Sequence, residues 1–227
     1  MRTHFPKTWS VLLFALCVLS LPAHSSQFDG ANWYRIIKNG DHSITVYDFA
    51  NYQEVDFEGS MMFKDGRKSL RRLNKTLTSN KDILLIIKDS GGGLTNSFKK
   101  FAGLLKKKCF QEKGCKITTL VKGRCMSSCV ELSLVGTERN MCENATFGFH
   151  RMWALHPNLV VQSTSSIQKT YKKLGVDAQW LDENRQLFYE NQYDGSFIES
   201  DQAILGNLVQ DYFSDCDYFI NQYKYLR

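Results

Sequence analysis

Proline is scarce in this chain, with three in 227 residues. No Pro-rich linker, internal repeat or low-complexity tract divides it, so a single domain of ordinary size is expected. Histidine is scarce too. Only His42, His150 and His156 lie beyond residue 26. There is no Cys-x2-Cys pair with a nearby histidine, which leaves no metal site to propose. Gly-Lys-Ser/Thr and Gly-x-Gly-x-x-Gly are both missing, so the usual phosphate-cradling loops are not indicated. Past the N-terminus, no run approaches the roughly 20 apolar residues of a membrane span.

What the chain does contain begins with a leader. Arg2 and Lys7 precede an apolar run from Trp9 to Leu21, followed by Pro22-Ala23-His24-Ser25-Ser26. This is the plan of a secretory signal peptide, too short for an easy membrane span. Cleavage is expected near Ser25, with an uncleaved anchor as the alternative. Residues 1–25 are set apart from the domain at 26–227, and a periplasmic or extracellular location follows. Hydrophobic content of 43% and charged content of 23% are those of a globular protein. The net charge of +6 falls to +4 without Arg2 and Lys7. Lys99, Lys100, Lys106, Lys107 and Lys108 concentrate positive charge. Without interleaved aromatics they read as a solvated helix face, so neither nucleic acid nor, after leader removal, a membrane is expected as partner.

Six cysteines remain beyond the leader: Cys109, Cys115, Cys125, Cys129, Cys142 and Cys216. An even number in an exported chain suggests disulfides, and the sequence does not select among the full pairings. Two pairs have a local reason. Cys109 and Cys115 bracket a short polar loop. Cys125 and Cys129 are four apart, and adjacent helical turns place Cα atoms about 6 Å apart, within disulfide reach.

Taken in order, Ser43–Tyr47 and Val55–Gly59 read as strands, and Asp65–Leu77 as an amphipathic helix with Leu70, Leu73 and Leu77 on one face. Ile83–Ile87 is apolar throughout, as in a strand covered on both faces. It runs into Asp89-Ser90-Gly91-Gly92-Gly93, where backbone N–H groups can approach a ligand or simply make a tight turn. Thr95–Leu105 reads as a helix, Lys116–Val121 as a strand, Gly136–Asn140 as a turn, and Ala145–Arg151 as a strand with His150 at its end. Ser163–Tyr189 is helical with a break at Gly175. Asp194-Gly195 is a turn, and Asp201–Phe213 reads as a helix. The aromatic-rich tail from Asp217 has no clear assignment. Alternating strands and helices predict a layered α/β domain with right-handed crossovers.

The chain turns around Gly123-Arg124-Cys125-Met126-Ser127-Ser128-Cys129. This small-residue bend joins a strand to an apolar helix. Ser127 and Ser128 can cap that helix. Alternatively, the bend can push a hydroxyl out of the packed layer, beside free N–H groups of the first turn, where it would serve as a nucleophile. The glycine run, the bend and His150 all follow strands, so all three are expected at one edge of the sheet.

Ile86–Leu94, Val121–Leu132 and Ala145–Arg151 resemble the ClpP/crotonase superfamily. Within it, the exported ClpP-like proteins share a Gly-x-Cys-x-Ser-x-Cys element and a Gly-Phe-His-Arg element, here Gly123–Cys129 and Gly148–Arg151. The resemblance covers residues 54–151 best, with a helical part at 152–227. It implies a spiral of βαβ units and a serine hydrolase, a peptidase acting on short or unfolded peptides. Ser127 falls at the nucleophile, His150 at the general base and Asp194 at the acid, with Asp201 as runner-up. The N–H groups of Gly92 and Ser128 fall at the oxyanion site. No cofactor or metal is implied. The ClpP family relies on an ATP-driven unfoldase, but an exported chain has no ready ATP supply, so no such partner is expected; a homo-oligomer is possible. Gly91 replaces the family's proline, and two cysteines flank the serine. A catalytically inactive binding or scaffold protein is the alternative, since relatives keep the fold without the triad. Redox work by Cys125 and Cys129 is a third reading.

Overall fold

The computed structural model describes residues 31, 33–109, 115–150, 164–188 and 196–226. The expected leader, Asp194 and the turn expected at Asp194-Gly195 lie outside the described residues. Three strands open the described chain: β1 (Trp33–Asn39), β2 (His42–Asp48) and β3 (Tyr52–Met61), paired antiparallel in sequence order. Helix α1 (Phe63–Thr76) returns the chain to β4 (Asp82–Gly93), which lies parallel to β3. Helix α2 (Thr95–Cys109) leads to β5 (Ile117–Val121), again parallel. The bend region follows as β6 (Arg124–Met126) and α3 (Ser128–Ser133), then β7 (Glu138–Cys142) and β8 (Thr146–Phe149). The last part holds α4 (Thr164–Lys173), α5 (Ala178–Glu183), a 3-10 turn at Arg185–Phe188, β9 (Ser196–Ile198), α6 (Ser200–Leu205), β10 (Asp211–Phe213) and α7 (Cys216–Leu226).

The result is an α/β architecture built on a mixed sheet in the order β1-β2-β3-β4-β5-β7-β10. The run from β3 to β10 is parallel, in keeping with the expected α/β class, while β1 and β2 add an antiparallel edge. A second ladder branches from the end of β4 through β6 and β8 to β9. The centre follows from sequence. Ile83–Ile87 are all buried, because helices or side chains cover both faces of β4. Leu70, Leu73 and Leu77 bury one stripe of α1, and Phe98, Phe101 and Leu105 do the same for α2.

Three expectations need correcting. The glycine run Gly91–Gly93 continues β4 rather than forming a loop, because Ser60 and Met61 of β3 pair with Gly92 and Gly93. The segment read as a turn at Gly136–Asn140 enters strand β7, whose polar Arg139 and Asn140 are buried. The helix expected over Asp201–Phe213 stops at Leu205, and Asp211–Phe213 pairs with β7 as a strand. The unassigned tail forms α7. Among the described residues, no helix is long and apolar enough to cross a membrane.

Candidate functional site around the Ser127 bend

The second ladder makes the bend. Cys125 of β6 pairs with Ser90 of β4 on one side and Phe147 of β8 on the other, and Met126 pairs with Gly148. Gly123 allows β6 to begin there: a Cβ at this position would lie 1.9 Å from the Lys88 carbonyl oxygen. Helix α3 starts two residues after Met126, so the whole reversal falls on Ser127.

Ser127 takes φ 57° and ψ −128°. A side-chain-bearing residue held in so sparsely populated a region costs about 1–3 kcal/mol and persists only where its surroundings impose it. Those surroundings are backbone. The Ser127 N–H donates to the Gly148 carbonyl at 2.9 Å, and the Ser127 carbonyl accepts from the Val130 N–H at 3.0 Å. Ser127 occupies the N-cap position of α3, yet its hydroxyl makes no capping hydrogen bond. Capping requires extended backbone at that residue, which this bend does not have. The simple-cap reading of Ser127 is therefore corrected, and its side chain is half-buried.

Gly92 lies directly against it. It has φ 82°, and a Cβ here would sit 2.8 Å from the Ser127 Cβ and 2.6 Å from the Met126 carbonyl oxygen. Only glycine lets β4 pass this close to the bend. The Gly92 N–H donates to Ser90 Oγ at 3.2 Å, and Ser90 Oγ donates to the Gly59 carbonyl at 2.8 Å. Ser128 is buried, and its hydroxyl donates to the Gly93 carbonyl at 2.9 Å, tying α3 to the end of β4. Its N–H lies in the first turn, where no helical carbonyl can receive it.

His150 follows β8 immediately and is half-buried. It stands two residues beyond Gly148, whose carbonyl holds the Ser127 N–H. Its position is set from the other side by Phe149, whose ring meets Phe188 at 5.3 Å, Tyr171 at 6.0 Å and Trp180 at 6.2 Å. The structure thus brings the main chain of Ser127, Gly92, Ser128 and the His150 segment to one edge. Asp201 is exposed in the first turn of α6.

Sequence reasoning passed over Glu131, one helical turn beyond Ser127. Its carboxylate is 4.0 Å from Lys99 Nζ. Burial pushes its pKa up, and Lys99 partly opposes that. The signal was available: Glu131 is the one charge in the otherwise uncharged run from Cys125 to Val135.

Three disulfides are formed. Cys109–Cys115 and Cys125–Cys129 are the two local pairs, with Cα separations of 5.2 and 5.4 Å. Cys142–Cys216 is the third, across 74 positions. The Cys125–Cys129 bridge straps the bend from strand to helix, and both cysteines are fully buried. Among the described residues, no group of three or more His, Cys, Asp or Glu side chains could hold a metal ion. A hydroxyl on a sharp strand-to-helix bend, flanked by backbone amides, is an arrangement suited to acyl transfer. No protein-family model matches the chain, and none of the curated proteins matches it either.

Proposed function

We propose that this protein is an exported ClpP-like serine hydrolase, a peptidase of short or unfolded chains built as a spiral of βαβ units. The observation that carries the reading is Ser127. It is a non-glycine residue held at φ 57° between a strand and a helix, with its hydroxyl unused for capping. Ser127 Oγ attacks the substrate carbonyl while the His150 imidazole takes its proton. Asp194, or Asp201 in its place, holds the imidazole tautomer and stabilises the imidazolium. The Ser128 N–H and the Gly92 N–H, released from Ser90 Oγ, receive the oxyanion, each donor contributing about 3–4 kcal/mol to the transition state. His150 then passes the proton to the leaving amine, and water repeats the sequence on the acyl-enzyme. The Cys125–Cys129 bridge serves this site by fixing the bend.

A fluorophosphonate probe tests the reading. Labelling at Ser127, lost in Ser127→Ala, is the expected result. One observation favours the second reading, a binding or scaffold protein with a disused site: the Gly92 amide is already engaged by Ser90 Oγ. A folded protein that takes no label decides for that reading.

A further inference from the structure

Helices α1 and α2 carry an extreme share of the charge. Together they hold eleven lysines and arginines and one acid, Asp65, a net +10. The whole chain is +6, so the remaining residues are −4. The two helices lie side by side and run in the same direction. At one end a Cβ on Gly66 of α1 would lie 3.0 Å from Ser97 Oγ of α2. At the other, Lys108 Nζ donates to the Leu77 carbonyl at 2.8 Å, and the Lys108 carbonyl accepts from the Asn80 N–H at 3.0 Å. Their apolar stripes face the sheet, which leaves Arg67, Lys68, Arg71, Arg72, Lys75, Lys100, Lys106 and Lys107 exposed.

Among the described residues these eight side chains form no ion pair or hydrogen bond. Elsewhere among the described residues pairing is commoner: Lys81, Lys88, Lys116, Lys122, Arg124, Lys172 and Lys224 each pair with a carboxylate, while the unpaired Arg35, Lys38, Lys169, Lys173 and Arg185 are scattered over other elements. Helix stability does not account for the difference. Cations favour the last turn of a helix through its dipole, which covers Lys75, Lys106 and Lys107. Arg67 and Lys68 stand near the start of α1, where the dipole opposes them. The lysines of α2 taken alone read as a solvated face. Alongside the arginines of α1 they form one broad cationic surface.

We propose that this two-helix face docks the protein onto an anionic phospholipid surface. The partner follows from shape and chemistry. Parallel helices packed side by side give a broad two-row face rather than a groove, and a lipid headgroup layer meets such a face along its whole length. Single-stranded nucleic acid requires aromatic platforms among the cations, and the aromatic side chains described on these helices, Phe98 and Phe101, are fully buried. Each surface cation contributes roughly a fivefold gain in partition toward an anionic membrane. The inference does not depend on the chemistry at Ser127.

The test is flotation of the full chain with vesicles of phosphatidylcholine alone, and of phosphatidylcholine mixed with phosphatidylglycerol. At least tenfold stronger binding to the mixed vesicles is expected, lost when salt shortens the screening length. The quadruple variant Arg71→Glu, Arg72→Glu, Lys106→Glu, Lys107→Glu is expected to lose about a hundredfold or more of the lipid-dependent binding. Lys169→Glu with Lys173→Glu, on α4, is expected to leave it unchanged, and thermal unfolding verifies that both variants are folded. Equal binding to the two vesicle types overturns the proposal, as does a preference that survives the quadruple variant. Displacement from mixed vesicles by a single-stranded oligonucleotide at equal phosphate concentration also overturns it, in favour of a nucleic-acid surface.

Discussion

Strand β3 carries Val55 and Phe57 toward one side and Tyr52, Glu54 and Asp56 toward the other, and all five side chains are buried. Under Phe57 lie the edges of Phe98 and Phe101, each 5.6 Å away between ring centres. Over Glu54 lies α7, with Tyr223 edge-on to Tyr52 at 5.3 Å and Lys224 Nζ 3.8 Å from the Glu54 carboxylate. Asp56 is closer to its cation, 2.6 Å from Lys88 Nζ. One face is thus closed by apolar packing and the other by charges that have lost their water. Burial pushes Glu54 up to about 7, with Asp56 adding to the rise and Lys224 opposing it. Burial also raises Asp56, against the pull of Lys88. A strand can be sealed on both sides by different physics, and only the apolar side is free of an electrostatic cost.

The strongest way to break this comparison is to release α7. Replacing Cys142 and Cys216 by serine opens a link spanning 74 positions. The chain-entropy model gives a loss of about 4.5 kcal/mol, against about 2 kcal/mol for the short Cys125–Cys129 loop. Urea denaturation under oxidising conditions measures both, and equal losses would refute the ordering. Next comes Phe57→Ala, which empties the apolar face of a fully buried ring and is expected to cost about 4 kcal/mol by the same measurement. A cost under about 1 kcal/mol would mean that the apolar face closes over the gap.

Glu54→Gln sharpens the charged side. Because the folded pKa lies above the ordinary 4.5, the favourable contribution of the protonated form is complete below 4.5 and is lost as pH rises to about 7. The natural protein should therefore lose ~1–3 kcal/mol across that window through this group, and the variant should not. Denaturation midpoints at pH 4.5, 6 and 8 decide the matter; parallel curves would remove Glu54 as the source. The smallest effect is expected from Tyr52→Phe. Among the described residues the buried Tyr52 hydroxyl has no hydrogen-bond partner. Its removal should leave stability within about 1 kcal/mol of the original, or raise it. A clear destabilisation would reveal a partner for that hydroxyl.

Elements with their own period were legible in the sequence. Ile83–Ile87, the Leu70–Leu73–Leu77 stripe and the strand-to-helix bend at Ser127 each carry their signal within a few residues. Strand β7 was not legible, because Gly136-Thr137 precedes it and its buried Arg139 and Asn140 look like turn residues. Arg139 is tolerated inside because its guanidinium donates to the Leu174 carbonyl at 3.3 Å, a partner 35 positions away. Strand β10 exists only through pairing with β7, which no local pattern encodes. At the candidate site the nearness of Gly92, Ser127 and Gly148 follows from the rule that parallel strands end together. The unusual backbone of Ser127 does not, since it arises from the ladder that β6 shares with β4 and β8.

The reach of the Cys142–Cys216 bridge also dictates an order of oxidation. As the chain emerges from its amino end, Cys109 meets Cys115 and Cys125 meets Cys129 within a handful of residues. Cys142 then waits as a thiol until its partner, 74 positions further on, has appeared. A newborn copy cut short before that point keeps its first two links and leaves the Cys142 sulfhydryl without its partner, open to exchange with its neighbours or with another copy.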